Sequence, residues 1–254
     1  INMMKQSKIL KFLSSFILKN SRRITVNSEF TKELMFSVSN KKYHDKVITI
    51  PMGVDTKRFY PSAQNILKKE YSEEDLLIFV GRLIDWKGTV FLVEAMKEVV
   101  STFPKTKLLI IGDGPEKNNL ITKINELGLQ SNIVFIGQIK NTEIRKYYSA
   151  ADIFIIPSII VSGHTEGLGV VTIEAMACGT SVIGSDVGGI PDVIQNEYNG
   201  FLVSEKSSKE LAQKIIKLLS NNDMQNKFIR NGIKLVDEKF NWDVISNQFI
   251  KIFY

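Results

Sequence analysis

Two glutamates eight positions apart, Glu166 and Glu174, enclose Gly167-Leu168-Gly169 and an otherwise apolar segment of Val170, Val171, Ile173, Ala175, Met176 and Ala177. A helix apolar nearly all round is a buried helix. A carboxylate inside it is costly unless a partner hydrogen-bonds to it, and a ligand's hydroxyls can do so. The glycines ahead of the helix would let a ligand approach the backbone closely, and the helix N-terminus would favour an anion there. Glu166 reads either as a carboxylate meeting the helix dipole or as a ligand-binding group.

A second cluster is Gly81-Arg82-Leu83, with Lys87-Gly88 at the start of the next helical stretch. Two cations and free backbone N–H groups suit a phosphate or diphosphate; the alternative is two exposed cations in a loop. Gly112-Asp113-Gly114-Pro115 lacks the third glycine of a dinucleotide fingerprint and follows the second strand, so it reads as a tight turn with Pro115 at the helix start. His164, two residues before Glu166, is a loop residue that could touch a ligand. His44 has no evident partner, and Asp152 reads as a turn or cap residue. No Asp-x-Asp pair occurs and no His/Cys cluster has metal-ligand spacing, so neither a metal nor a cofactor is expected.

The elements that must position these groups follow from hydrophobic patterning. Short apolar runs occur at Leu76–Val80, Lys107–Ile111, Ile133–Ile136, Ile153–Ile156 and Ser181–Gly184, with helical stretches near 88–101, 115–127, 141–149 and 168–178 between them. Strands without alternation belong to a sheet buried on both faces. Their alternation with helices predicts an α/β fold with a doubly wound parallel sheet, in which ligands bind beyond the carboxyl ends of the strands. Polar and glycine residues do follow each run: Gly81-Arg82, Gly112-Asp113, Gly137-Gln138, Pro157-Ser158 and Ser185-Asp186. Upstream, Ile24–Asn27 and Val47–Ile50 read as strands, with a helix over Glu29–Phe36 behind Ser28 as N-cap. Pro51-Met52-Gly53-Val54-Asp55 marks a break, read as an interdomain hinge. Helices are expected at Ser208–Ser220, Met224–Glu238 and Asp243–Phe253.

A chain of 254 residues can hold one or two domains. It does not open with methionine, which reads as a fragment or processed product. The single cysteine, Cys178, excludes a disulfide framework and fits a reducing compartment, so a cytoplasmic location is expected. Residues 1–50 carry ten Lys/Arg against three Asp/Glu, so the basic excess lies at this end. Within it, residues 8–19 place Ile9, Leu10, Leu13, Phe16 and Ile17 on one helical face among lysines, with Phe12 and Leu18 widening it. This is either a membrane-surface contact, extending over residues 1–23 on the inner face, or a helix packed on a sheet. The basic residues lack a nucleic-acid motif and aromatic interleaving, so nucleic acid is not an expected partner.

Taken in order, these motifs resemble the retaining glycosyltransferases of family four, the group 1 glycosyl transferases of GT-B fold. The match runs from Pro51-Met52-Gly53-Val54-Asp55 and Phe59 through Gly81-Arg82-Leu83 with Lys87-Gly88, and Gly112-Asp113-Gly114-Pro115. It continues with Gly137, Ile139 and Glu143, Asp152 with Pro157-Ser158, the Glu166–Gly179 block, and Gly188-Gly189-Ile190-Pro191. The resemblance implies a Rossmann-like domain over 51–240 that binds a nucleotide-diphosphate sugar, and a return helix over 241–254. Residues 1–50 would be the tail of an acceptor-side domain whose leading strands, glycine-rich loop and donor-site histidine are missing, so this chain could bind donor without turnover. The resemblance also implies roles: Arg82 and Lys87 on the diphosphate, stabilising the leaving group; Glu166 on the donor sugar; backbone N–H groups of Gly167, Leu168 and Gly169 on sugar or phosphate; Glu174 on the ribose; Gly81 beside the phosphates; and the Gly137–Ile139 backbone on the base. The acceptor would be a saccharide or lipid-linked molecule of cell-surface polysaccharide or glycolipid synthesis. A non-catalytic or partner-completed nucleotide-sugar-binding module is the alternative.

Overall fold

The structure is a computed structural model that describes residues 8–37, 39, 41–62, 66–71 and 75–253. At the N-terminal end are α1 (Lys8–Asn20), β1 (Ile24–Val26), α2 (Glu29–Phe36) and β2 (Val47–Thr49). β1 and β2 pair in parallel as a two-stranded sheet. Ser28 caps α2 as its sequence predicts, its Oγ accepting from the Thr31 N–H at 3.0 Å. Lys46 Nζ donates to the carbonyls of Leu18, Lys19 and Ser21 at 3.3, 3.0 and 2.8 Å, placing a cation on the negative end of α1.

After the short α3 (Ile66–Glu70), six strands form the main sheet: β3 (Leu76–Val80), β4 (Lys107–Ile111), β5 (Ile133–Gly137), β6 (Ile153–Ile156), β7 (Ser181–Ser185) and β8 (Phe201–Val203). Their order is β5-β4-β3-β6-β7-β8, and every pair is parallel. The helices between them are α4 (Thr89–Thr102), α5 (Lys117–Leu127), α6 (Ile144–Tyr148) and α7 (Val170–Ala177), followed by α8 (Ser208–Leu219), α9 (Asn222–Leu235) and α10 (Trp242–Phe253). The apolar runs lack alternation because both faces are covered. Leu77, Phe79, Leu108 and Ile110 enter one core with Leu92 and Met96 of α4 and Ile215 of α8. Ile78, Ile111, Phe154 and Ile156 enter the other with Ile173 and Met176 of α7. The order reverses between β3 and β6, so their carboxyl ends flank a topological switch point, where open α/β sheets bind ligands.

Several expected boundaries move. Pro115 does not start α5; the helix begins at Lys117. The residues before it are used instead to lace two loops together: Leu83 N–H donates to Asp113 O at 2.9 Å and Glu116 N–H to Leu83 O at 3.0 Å. α9 begins at Asn222 rather than Met224, because Asn221 is its cap, accepting from Met224 N–H at 2.8 Å. The helix passes into a π turn over Val236–Phe240. Strand β8 has no counterpart among the expected elements.

The 51–55 break is strapped to the start of α10. Val54 N–H donates to Phe240 O at 2.7 Å and Trp242 N–H to Val54 O at 3.3 Å. A β-carbon built on Gly53 would stand 2.7 Å from Trp242 Cδ2, so only glycine lets the indole lie on the backbone here.

On α1, Leu13, Phe16 and Ile17 are 47%, 59% and 62% exposed. These three side chains face solvent in this chain. Residues 1–7 of the expected membrane-contact stretch lie outside the described residues, as do the side chains of Ile9, Leu10 and Phe12. Among the described residues, no helix is long and apolar enough to cross a membrane.

Candidate functional site

At the switch point lies a cavity of about 490 Å³, lined by the carboxyl-end loops of β3, β4 and β5 and by α7. Gly81, Arg82, Gly112, Asp113, Gln138, Ile139, Asn141, Val171 and Glu174 are among its walls. The loops can converge this closely because of glycine. A β-carbon on Gly112 would stand 1.9 Å from Gly81 O, and one on Gly114 2.3 Å from Leu83 O. Gly112 N–H donates to Gly137 O at 2.9 Å, tying the third loop in.

Glu174 projects from α7, otherwise an apolar helix, and is partly buried. The structure supplies the partner that the sequence demands without naming: the hydroxyl of Tyr148, at the end of α6, donates to Glu174 Oε2 at 3.0 Å. Burial holds the Glu174 carboxyl above its ordinary range, while the Tyr148 hydrogen bond and the positive charge of Arg58 oppose that rise. Burial, and then the neighbouring Glu174 charge, push the Tyr148 phenol well up, so it is a neutral donor. Arg58 is itself tethered, donating to the carbonyl of Asn141 on the cavity wall.

Beside the cavity sits a second polar pair. Lys87, the last residue of a 3-10 turn after β3, donates to Glu166 Oε2 in an ion pair whose side chains are only 11% and 14% exposed. Lys87 borders the cavity wall, because a β-carbon on Gly81 would meet Lys87 Cε at 3.7 Å. Gly88 sets the turn: it is left-handed at φ 63°, and a β-carbon there would stand 2.0 Å from Pro157 O at the end of β6. Arg82, in contrast, is exposed, and among the described residues no carboxylate pairs with it.

The loop bearing Glu166 is docked from behind by Gly188-Gly189, which follow β7. Gly189 N–H donates to Glu166 O at 2.9 Å. β-carbons on Gly188 and Gly189 would stand 2.2 Å from Glu166 O and 2.1 Å from Gly167 O. Gly169, left-handed at φ 80°, then starts α7 with no side-chain cap, which leaves first-turn N–H groups for water or a ligand. The N-terminal part closes over this loop. Asn27 Nδ2 lies 3.7 Å from where a β-carbon on Gly167 would be, and Asp192 Oδ2 accepts from Glu29 N–H at 2.7 Å at the start of α2.

Of the expected site residues, Gly81, Arg82, Ile139 and Glu174 share the cavity wall. Lys87 and Glu166 pair beside it, Gly167 and Gly169 follow on the Glu166 loop, Leu168 is buried in the core, and Gly137 holds the base of the β5 loop. His164 stands apart: it is exposed at the end of a tight hairpin, exchanging backbone hydrogen bonds with Val161. Asp152 is structural, as expected of a cap residue, accepting from Leu76 N–H at 2.8 Å. Tyr148, Arg58 and Asn141 join the site without belonging to any motif in the sequence. Cys178 is buried, and burial pushes its thiol up to about 12, so it is an unreactive core residue.

Comparison with known proteins places this geometry in context. The family model described as "Glycosyl transferases group 1" matches residues 64–235. An uncharacterized glycosyltransferase of Methanocaldococcus jannaschii is 31% identical over 251 residues, covering 96% of this chain and 62% of its own length. A GDP-mannose-dependent alpha-(1-6)-phosphatidylinositol monomannoside mannosyltransferase of Mycobacterium tuberculosis is 30% identical over 203 residues, covering 78% of this chain and 53% of its own. Among solved structures, sucrose-phosphate synthase from Thermosynechococcus elongatus superposes with a TM-score of 0.83 at 29% identity, over 97% of this chain and 61% of that one. The chain thus spans a little over half the length of these proteins.

Proposed function

Because the chain belongs to the glycosyl transferases group 1 family, we propose that it forms the donor side of a glycosyltransferase. That enzyme would move a sugar from a nucleoside-diphosphate sugar to an acceptor with retention of configuration. The observation that carries the reading is that Glu174 and Arg82 share the wall of one cavity at the carboxyl ends of the strands, with the Lys87–Glu166 pair next to its Gly81 wall.

In this reading Glu174 accepts from the ribose hydroxyls, and the Gly137–Ile139 backbone meets the base. Arg82 and Lys87 hold the diphosphate; their positive charge would stabilise the leaving group as the glycosidic bond breaks. Glu166 and the N–H groups of Gly167, Leu168 and Gly169 face the sugar. The mycobacterial relative, named for a GDP-mannose donor and a phosphatidylinositol mannoside acceptor, supports a nucleotide-sugar donor and a glycolipid or surface-polysaccharide acceptor. The exposed apolar residues of α1, beside the exposed Lys19, support peripheral contact with an anionic membrane surface. Co-sedimentation with anionic vesicles at low salt, lost on Phe16→Ser with Ile17→Ser, is the outcome that contact requires.

Calorimetric titration with UDP, GDP and ADP, with and without magnesium, tests the donor site. Binding of one nucleotide, weakened by Glu174→Gln and Arg82→Ala, is the expected result. Binding that ignores both substitutions would place the nucleotide elsewhere and reject the assignment.

A further inference from the structure

We propose that Tyr148 is a positioning residue of this site: its hydroxyl fixes one carboxylate oxygen of Glu174 and leaves the other for the vicinal hydroxyls of a ribose. The inference rests on the donor-site reading of the cavity.

The geometry carries it. A glutamate's last torsion is broad, so an unrestrained carboxylate presents its oxygens in many orientations. Here Oε2 is engaged by Tyr148 at 3.0 Å, while Glu174 remains part of the cavity wall. The phenol cannot yield. Tyr148 is fully buried, its ring packed against Phe59 and Phe154 at centroid distances of 6.3 and 5.8 Å. Its backbone carbonyl accepts from Thr180 Oγ1 at 2.6 Å. Around Glu174 the ionisable groups are Tyr148 on α6, Arg58 after the hinge and Cys178 at the end of its own helix, with Arg82 and Asp113 on the facing cavity walls. Arg58 acts on the carboxylate through its charge while its guanidinium bonds Asn141. Tyr148 hydrogen-bonds Glu174 directly. The hydrogen bond from a fixed neutral donor orients the carboxylate and favours its charged form, opposing the burial that raises its pKa.

The test uses Tyr148→Phe, which keeps the ring, in the full chain. The Glu174 side-chain carboxyl carbon is titrated by NMR, its signal assigned by its loss in Glu174→Gln. Nucleoside diphosphate affinity is measured by calorimetry from pH 5.5 to 8.5. Without the hydroxyl the carboxylate loses a donor that favours its charged form. The titration midpoint should therefore move up, and the acid-side loss of affinity should move to higher pH with it. At neutral pH affinity should fall about tenfold, as expected for a hydrogen bond to a charged group. Adding Tyr148→Phe to Glu174→Gln should change affinity little further. A midpoint that does not move overturns the proposal. So does a Tyr148→Phe affinity and pH profile equal to the wild type's when Glu174→Gln alone weakens binding. If Glu174→Gln itself leaves binding unchanged, the donor-site reading fails first and takes this proposal with it.

Discussion

Lys87 and Glu166, 79 positions apart, meet as an ion pair between two nearly buried side chains beside the Gly81 wall of the cavity. In the proposed donor site, the carboxylate therefore occupies a cation assigned to the ligand phosphate. Glu166→Gln should free Lys87 and tighten binding of a nucleoside diphosphate without sugar by about three- to tenfold, on the scale of a partly buried charge contact. Calorimetry reads this directly, and unchanged or weaker binding would remove the competition argument.

The same pair has a folding consequence. Removing one partner of a buried pair leaves a charge without compensation, at a cost of about 3 kcal/mol. Lys87→Met should lower unfolding stability by about that amount in urea, and Lys87→Met with Glu166→Leu should recover most of it. A double-variant loss equal to the sum of the Lys87→Met and Glu166→Leu losses would show that the pair is not coupled.

Glu174 ties stability to pH. Its folded-state value is raised above 4.5, so the folded protein holds this proton more tightly than the unfolded chain does. The destabilisation is absent below the unfolded value, grows as pH rises through the raised folded value, and is constant above it. Urea unfolding across that window should show Glu174→Gln gaining on the wild type as pH rises, then levelling off. A stability difference independent of pH would mean that the carboxyl titrates normally.

Two left-handed glycines separate strain from collision. At Gly128, φ 68°, nothing lies within 4 Å of an added β-carbon, so alanine should cost about 1 kcal/mol of backbone strain. At Gly88, φ 63°, the carbon would stand 2.0 Å from Pro157 O. Gly88→Ala should cost about 3 kcal/mol or more and should weaken nucleotide binding through the displaced Lys87. Comparable denaturation midpoints for the two variants would contradict the packing at the end of β6.

The main sheet was largely legible because its strands are buried on both faces and read as continuous apolar runs; Leu76–Val80, Lys107–Ile111 and Ile153–Ile156 keep their boundaries. Strand β8 was not, because three residues of Phe-Leu-Val at the sheet edge carry too little pattern to distinguish a strand from a loop. The site was half legible. Glu174 announces a missing partner by its apolar surroundings, but Tyr148 lies 26 positions away on another helix, and only the packing of α6 on α7 brings them together. Gly188-Gly189 stood out as a motif, yet their purpose appears only when the Glu166 and Gly167 carbonyls lie against them.

The strap at Val54 has a mechanical reading. The chain passes between its N-terminal and main parts at 51–55 and again near 241, and backbone hydrogen bonds join the two passages at one spot, with the Trp242 indole laid on Gly53. Two separate tethers would resist twisting and permit sliding. Two tethers pinned together act as one attachment. The junction of Gly53, Val54 and Trp242 is therefore one anchorage shared by both passages, so a change at Trp242 reaches the 51–55 segment and the start of the last helix together.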